Sequence, residues 1–123
     1  MSHAGRAVCI ESPLKGDIAR NIRYADACLL DSLERGEAPF LGHLLYPRVL
    51  TDLDPQQRLR GIQAHLVWLR RAEVVVIYTD HGISEGMQSA IDLAETECIH
   101  VEYRTLGAGW EERLAGATST PGF

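Results

Sequence analysis

Hydrophobic and polar positions follow two alternating patterns along this chain. Short apolar-rich runs predict strands at residues 6–11, near Phe40, at Val74–Tyr78 and at residues 99–103. The continuous β-branched run at Val74–Tyr78 is typical of a strand buried on both faces of a parallel sheet. Between these runs, apolar residues recur every three or four positions, which predicts amphipathic helices. This order is the α/β pattern, and right-handed crossovers then predict a small Rossmann-like or flavodoxin-like three-layer sandwich with a mostly parallel sheet of about four to five strands.

Local signals set the bounds of the first two predicted helices. Asp17 is a suitable N-cap for the first helix, and Gly36 suits the position just after its end. The second begins at Asp54-Pro55, with Gln57 closing a capping box. The predicted apolar faces are Ile18, Ile22, Ala25, Leu29 and Leu33 on the first helix, and Leu59, Ile62, Leu66 and Leu69 on the second. Trp68 falls off the second face and is a candidate contact for another subunit.

The rest of the chain gives weaker signals. Ser84 is a candidate N-cap for a third helix, whose predicted apolar face is Met87, Ala90, Ile91 and Ala94. We expect irregular chain between Phe40 and Asp54, a short helix at residues 110–114, and loose tails at residues 1–5 and 115–123. The whole sequence of 123 residues is predicted to form a single domain.

Composition and residue spacing exclude several classes of function and site. Twelve basic and seventeen acidic residues give a formal net charge of −5, which argues against nucleic acid as a partner. The longest apolar run is too short to span a membrane and no secretory signal is visible, so we expect a cytoplasmic protein without a membrane partner. Cys9, Cys28 and Cys98 lack CxxC spacing and the histidines lack metal-ligand spacing, so we predict no disulfide, metal or cofactor.

Polar residues that follow the predicted strands are the candidates for chemistry, because an open parallel sheet binds ligands beyond the carboxyl ends of its strands. The candidate stretches are Glu11 and Ser12 after the first strand, His43 and Tyr46 after the second, Asp80 to Met87 after the third, and Arg104 after the fourth. No glycine-rich nucleotide fingerprint is present. The sequence therefore predicts the place of a site more clearly than its ligand.

Each candidate has a structural interpretation beside the functional one. Ser84 and Gly86 could form an anion cradle at a helix N-terminus, or Ser84 could be an ordinary N-cap. Glu11 and Asp80 could face one pocket as a pair of carboxylates, or they could be a cap and a turn residue. His43 could contact a ligand or be a hydrogen-bonded structural histidine.

Several segments, taken in order over residues 7 to 105, resemble the nucleoside 2-deoxyribosyltransferase-like superfamily, and in particular a short bacterial and phage branch of it. The segments are Ser12-Pro13, Asn21, Gly36 to Phe40, His43 to Pro47, Asp54-Pro55 through Arg58, Ile83 to Met87 leading into Ile91 and Ala94, and Val101 to Arg104. The resemblance implies a Rossmann-like fold, a homodimer or higher oligomer, and activity on the N-glycosidic bond of deoxynucleosides or nucleotides.

The resemblance also implies roles for two positions of the third helix. Ser84 matches a serine that helps to hold a 5′-phosphate in nucleotide-cleaving relatives. Ala90 stands where active members have the glutamate that attacks C1′ of the sugar, in chemistry close to that of a retaining glycosidase. We therefore expect little or no base release from this chain, and a gain of base release in Ala90→Glu.

The leading hypothesis is a nucleoside- or nucleotide-processing protein that acts on the N-glycosidic bond. Its predicted substrate-binding residues are Ser12, His43, Tyr46, Ser84, Gly86 and Met87, and its candidate catalytic carboxylates are Asp80 and Glu11. The alternatives are a non-catalytic nucleotide-binding or sensing protein on the same fold, and an interaction domain that uses Trp68.

Overall fold

A computed structural model describes residues 5–117 of the chain. Its elements, in order, are β1 (Ala7–Glu11), α1 (Ile18–Glu34), β2 (Ala38–Phe40), α2 (Gly42–Leu45), a 3₁₀ turn (Tyr46–Arg48), α3 (Pro55–Arg71), β3 (Val74–Tyr78), α4 (Glu85–Thr96), β4 (His100–Arg104) and α5 (Trp110–Ala117). None of the helices found in this range is long and apolar enough to cross a membrane.

The four strands form one parallel sheet in the order β2–β1–β3–β4. The chain winds from β1 outward to β2, then returns through α3 to place β3 on the other side of β1. Val8 of β1 lies opposite Val74 of β3, and Val74 lies opposite His100 of β4. The predicted α/β fold is confirmed, with a sheet order that changes direction between β1 and β3. Such a switch point opens a crevice at the carboxyl ends of the strands.

Two hydrophobic clusters, one on each face of the sheet, make the three layers. The first cluster contains side chains of α1, α5 and one face of the strands, among them Val8, Ile10, Tyr24, Val76, Tyr78 and Trp110. The second contains Leu69 of α3, four residues of α4 and the other strand face, namely Cys9, Leu69, Val75, Ile77, Met87, Ala90, Ile91 and Ala94. Alternation along each strand sends neighbouring side chains to opposite clusters.

The predicted faces of α1 and α3 are partly wrong. Ala25 is buried in α1 as expected, but Ile18, Ile22 and Leu33 are 55%, 41% and 51% exposed. The buried positions of α1 are instead Asn21, Tyr24, Ala25, Ala27, Cys28 and Ser32. Four of these are small residues, so the backbone of α1 can lie close to the sheet. In α3, Leu69 is the buried residue, and Leu59 and Ile62 are exposed.

Smaller differences concern the ends of elements. Asp54 caps α3 as predicted, accepting a hydrogen bond from Gln56 N, but Gln57 Oε1 accepts one from Thr51 N instead of closing a capping box. The segment predicted to be irregular contains α2 and the 3₁₀ turn. Helix α5 continues to Ala117, so residues 115–117 belong to it and not to a tail. The remainder of both predicted tails, apart from Gly5, lies outside the described residues.

Candidate functional site

Glu11 is a buried carboxylate at the carboxyl end of β1. Only 7% of the residue is exposed. Its Oε2 atom accepts a hydrogen bond of 2.6 Å from His65 Nε2 of α3 and a longer contact of 3.7 Å from Cys9 Sγ. Cys9 and Glu11 point to the same face of the sheet because they are two residues apart on one strand. The carboxylate therefore lies on the α3 and α4 side of the sheet.

Ser12 and His43 form a second polar pair beside Glu11. Ser12 Oγ and His43 Nε2 share a hydrogen bond of 2.7 Å, and Ser12 is 6% exposed. His43 reaches Ser12 from α2, which begins two residues after β2. The structure thus brings together two residues that the sequence placed at the ends of neighbouring strands. His43 Nδ1 is buried and has no hydrogen-bond partner in the described part of the chain.

The pKa values of the two histidines are shifted in opposite directions although the residues lie close together. Burial lowers the pKa of His43, the carboxylate of Glu11 opposes this shift, and His65 adds to it. Burial also opposes protonation of His65, but its hydrogen bond to Glu11 and the charge of that carboxylate raise its pKa above the usual value. His43 is consequently the neutral partner of Ser12 near pH 7, whereas the contact with Glu11 favours the protonated form of His65.

Asp80 lies apart from Glu11, on the α1 and α5 side of the sheet. Its Oδ1 accepts hydrogen bonds from Tyr24 Oη at 2.6 Å and Leu106 N at 2.9 Å. Its Oδ2 accepts from Leu106 N at 3.0 Å and Gly107 N at 2.9 Å. Burial would raise the pKa of Asp80, but these hydrogen bonds outweigh it and lower the pKa. The two carboxylates are not paired, and Asp80 holds the loop between β4 and α5 in place.

The N-terminus of α4 faces solvent at the same edge of the sheet. Ser84 is the N-cap, and its Oγ accepts a hydrogen bond of 3.3 Å from Met87 N. A Cβ atom at Gly86 would meet nothing within 4 Å, so a ligand can approach the backbone of this turn. Met87 is 1% exposed, and its side chain belongs to the core; its Sδ accepts a contact of 3.4 Å from Ser84 N.

Ala90 lies one turn further along α4, in the same buried cluster as Cys9. It is 5% exposed and carries no polar group. The site therefore has a carboxylate on β1, that of Glu11, and has none at position 90 of α4.

Aromatic rings lie beside the Glu11–His65 pair. The ring of Phe40, at the end of β2, is 6.2 Å from the ring of His65, 6.2 Å from Tyr46 and 5.6 Å from Trp68. Trp68 is 50% exposed. Tyr46 was predicted near a ligand, and the structure places it in this aromatic group, where Phe40 contacts both its ring and that of His65. A flat apolar ligand could stack against the exposed part of the group.

Arg104 points away from this edge of the sheet. Its guanidinium lies 2.7 Å from Glu37 Oε2 and 2.8 Å from Glu37 Oε1, and the side chains of both residues are nearly or fully buried. Glu37 also accepts hydrogen bonds from Arg6 and from Ser32. Arg104 is therefore part of a buried ion cluster that joins β4 to the start of β2, and not a ligand contact.

His65 and Cys9 are the site residues that the sequence analysis missed. His65 is three residues after Ile62 and one before Leu66, so it borders the apolar face of α3 and turns toward the sheet. Cys9 alternates with Val8 and Ile10 and shares a strand face with Glu11. Within the part of the chain that the structure describes, Cys9, Glu11 and His65 are the group whose potential metal-ligating atoms converge, all within 4.8 Å of one another.

Comparison with known proteins supports the fold. A solved 2-deoxyribosyltransferase of the psychrotolerant bacterium Bacillus psychrosaccharolyticus, a biocatalyst for nucleoside synthesis, is similar with a TM-score of 0.68 and 10% identity, over 83% of this chain and 74% of that chain. A conserved protein from Enterococcus faecalis V583 is similar with a TM-score of 0.56 and 16% identity, over 94% of this chain and 76% of that chain. No curated protein matches the sequence.

These two structures share the arrangement of helices and strands with this chain, and at such low identity the likeness concerns the fold alone. The sequence itself matches a family profile over residues 6–104, a range that contains Glu11, Ser12, His43, His65 and Ser84. On that match the chain belongs to the family described as a domain of unknown function, DUF7768.

Proposed function

We propose that this protein binds a nucleoside or nucleoside 5′-monophosphate at the carboxyl edge of its sheet and acts on the N-glycosidic bond through Glu11. The observation that carries the proposal is the buried carboxylate of Glu11, oriented by His65 at 2.6 Å, beside the Ser12–His43 pair. The fold that holds it is shared with a 2-deoxyribosyltransferase.

The ligand would lie between α4 and the end of β1. The N–H groups in the first turn of a helix have no intrahelical partners, and the helix dipole favours an anion there. Ser84 Oγ occupies only the N–H group of Met87, and Gly86 leaves room for a phosphate to approach. A phosphate at this point would direct the sugar toward Glu11 and Ser12, and the base toward the aromatic group around Phe40.

The chemistry assigned to Glu11 is nucleophilic catalysis by a carboxylate. An oxygen of Glu11 attacks C1′ of the sugar, the bond from C1′ to the base nitrogen breaks, and the electron pair leaves with the base, which takes up a proton. Water, or a second base, then attacks C1′ and releases Glu11. Both hydrogen bonds seen to Glu11 from residues 5–117 use Oε2, so Oε1 is the oxygen that would attack.

The proposed roles of the neighbouring histidines follow from their contacts and from the directions of their pKa shifts. His65 carries the proton of its pair and keeps the carboxylate of Glu11 oriented. His43 is neutral near pH 7 because burial lowers its pKa, so it can accept a proton from Ser12 or from an attacking water. This proposal departs from the expectation of an inactive chain, which rested on Ala90 and on the position of Glu11 and Asp80 outside the helix where the resemblance implies the nucleophile.

One observation favours a second candidate function, a non-catalytic nucleotide-binding or sensing protein. Ala90 cannot attack C1′ or stabilise positive charge on the sugar, and the helix that carries it is otherwise intact. Under this candidate the pocket binds the same ligands without breaking them. The two candidates agree on binding and differ on base release.

Ligand binding is tested by thermal shift with nucleosides, their 5′-monophosphates and free bases. A ligand at one hundred times its dissociation constant stabilises the folded state by about 2.7 kcal/mol. We expect 5′-monophosphates to raise the melting temperature, with inorganic phosphate and free bases raising it less. No shift with any nucleoside or nucleotide would contradict both candidates and favour an interaction domain.

A further inference from the structure

Cys9, Glu11 and His65 present three different ligating atoms to one point. Cys9 Sγ lies 3.7 Å and His65 Nε2 lies 2.6 Å from Glu11 Oε2, and all three atoms are within 4.8 Å of one another. Cys9 is fully buried and Glu11 nearly so, while the side chain of His65 is 18% exposed. Two residues come from β1 and one from α3, so regular elements hold the group in place.

We propose that these three side chains bind one zinc ion, with the fourth coordination position open to water or to a ligand. The donor set consists of one thiolate, one imidazole and one carboxylate. Zinc accepts all three ligand types, and sites with three protein ligands keep a fourth position open. Magnesium and calcium prefer oxygen ligands, so the thiolate and the imidazole disfavour them.

Two of the three ligand-atom separations can be compared with zinc geometry, and they fit it after one small change. Bonds of about 2.0–2.3 Å in a tetrahedron separate neighbouring ligand atoms by roughly 3.3–3.7 Å. The separation between Cys9 and Glu11, 3.7 Å, already lies at that value. The separation between His65 and Glu11, 2.6 Å, is that of a hydrogen bond. Zinc would take the place of the proton between them, and the His65 ring would move outward by roughly 0.7–1 Å.

Zinc binding must release protons from the group. Burial, reinforced by the nearby Glu11, raises the pKa of the Cys9 thiol, so the thiol is protonated in the metal-free protein. Zinc replaces the thiol proton and the proton that His65 Nε2 donates to Glu11, and each leaves to solvent. When the metal is bound, His65 Nδ1 carries the remaining ring proton. It has no partner among residues 5–117, and this absence weakens the site relative to one with an oriented histidine.

The zinc site can be tested independently of the proposed function, although both proposals use Glu11. A bound metal would occupy the carboxylate that is proposed to attack C1′, so zinc would inhibit base release reversibly. Metal binding is measured without any nucleotide. Its failure would therefore leave the nucleotide proposal untouched, and the reverse also holds.

The test is a titration of the metal-free, full-length protein with Zn²⁺ and with Co²⁺ under reducing conditions. We expect one equivalent of Zn²⁺ to bind, and Co²⁺ to produce the near-ultraviolet charge-transfer absorption of a thiolate ligand. Cys9→Ala should abolish that absorption. Cys98→Ala is the matched control, because Cys98 is an exposed thiol outside the group, and it should leave the absorption unchanged.

A second variant keeps the proposal testable if Cys9→Ala fails to fold. His65→Gln keeps the thiol and should weaken Zn²⁺ binding at least about tenfold, since even the loss of a residue that only orients a ligand weakens metal binding by about 10–100-fold. Circular dichroism checks that both variants are folded. Absence of Zn²⁺ binding, absorption that persists in Cys9→Ala, absorption lost in Cys98→Ala, or unchanged affinity in His65→Gln would each overturn the proposal.

Discussion

Hydrogen bonds distinguish the two acidic residues predicted at this edge of the sheet. Asp80 accepts hydrogen bonds from a tyrosine hydroxyl and from two backbone N–H groups, so both of its oxygens are already occupied. Glu11 is contacted by His65 and Cys9 at one oxygen. Oε1 of Glu11 accepts no hydrogen bond from residues 5–117, so it is the better candidate to react with a ligand. This difference leads us to assign the chemistry to Glu11.

Ser84→Ala tests whether the cap of α4 also holds a phosphate. Loss of the hydrogen bond to Met87 N should cost about 1 kcal/mol of unfolding free energy. The same variant should weaken binding of a 5′-monophosphate more than binding of the matching nucleoside. Urea unfolding gives the first quantity and calorimetric titration gives the second.

Ser89→Ala is the control for this prediction, because Ser89 is an exposed serine inside α4, away from its N-terminus. It should change neither quantity by more than a few tenths of a kcal/mol. Equal weakening of nucleoside and monophosphate in Ser84→Ala would leave Ser84 with a capping role only.

The sequence predicted some contacts of the site and missed others for a physical reason. Ser12 and His43 follow neighbouring strands, so the rule for parallel sheets brings them to one edge. His65 lies inside a helix, and its contact with Glu11 depends on the rotation of α3 about its own axis. The spacing of apolar residues did not predict that rotation correctly, because several apolar residues of α3 are exposed to solvent.

At the scale of elements, capping residues were a better guide than apolar spacing. Asp17, Asp54 and Ser84 cap the helices they were predicted to cap. The face of α4 was also predicted correctly, because this helix carries a single apolar stripe. In α1, Ile18, Ile22 and Leu33 lie outside the buried stripe, and four of the six buried positions are small residues, so close packing of the helix on the sheet, as well as hydrophobicity, decides which face is buried.

The ion cluster of Glu37 and Arg104 gives a second prediction. Burial would raise the pKa of Glu37, but hydrogen bonds from Arg104, Arg6 and Ser32 outweigh it and lower the pKa to about 2. Because the pKa is lower in the folded state, the cluster contributes its stability above the unfolded pKa of about 4.3. That contribution should be lost as the pH falls from about 4.3 toward 2.

Glu37→Gln should therefore destabilise the fold by about 3–5 kcal/mol at pH 7, since it leaves the buried guanidinium of Arg104 without its principal counter-charge. The difference from the natural chain should shrink below pH 4. Glu34→Gln, at an exposed position of α1, is the control and should have little effect. A Glu37→Gln protein as stable as the natural chain at pH 7 would contradict this account of the cluster.

At the scale of the whole molecule, exposed apolar side chains concentrate on α3 and the loop before it. Leu53 is 93% exposed and Val49 80%, and Leu59, Ile62, Val67 and Trp68 are each between 41% and 54% exposed. Large contiguous apolar patches mark interaction sites, which makes α3 and this loop the candidate contact surface. We propose that a second copy of the chain covers it in a homodimer, which would place the partner close to Phe40 and His65.

Trp68→Glu should convert the proposed dimer to a monomer, since the charge would be buried without a partner in the proposed interface. Sedimentation velocity measures the mass directly. Ile18→Glu is the control, because Ile18 is 55% exposed on α1, away from α3, and should leave the dimer intact. A natural chain that sediments as a monomer at high concentration would contradict the proposed interface.

The central claim is that Glu11 breaks the N-glycosidic bond, and base release measures it most directly. Purified protein is incubated with deoxynucleosides and their 5′-monophosphates, and free base is followed by chromatography over hours. We predict release by the natural chain, a loss of at least about 100-fold in Glu11→Gln, and unchanged release in Asp92→Asn, an exposed carboxylate of α4. Release that survives in Glu11→Gln, or a natural chain that binds nucleotide and never releases base, would contradict the claim.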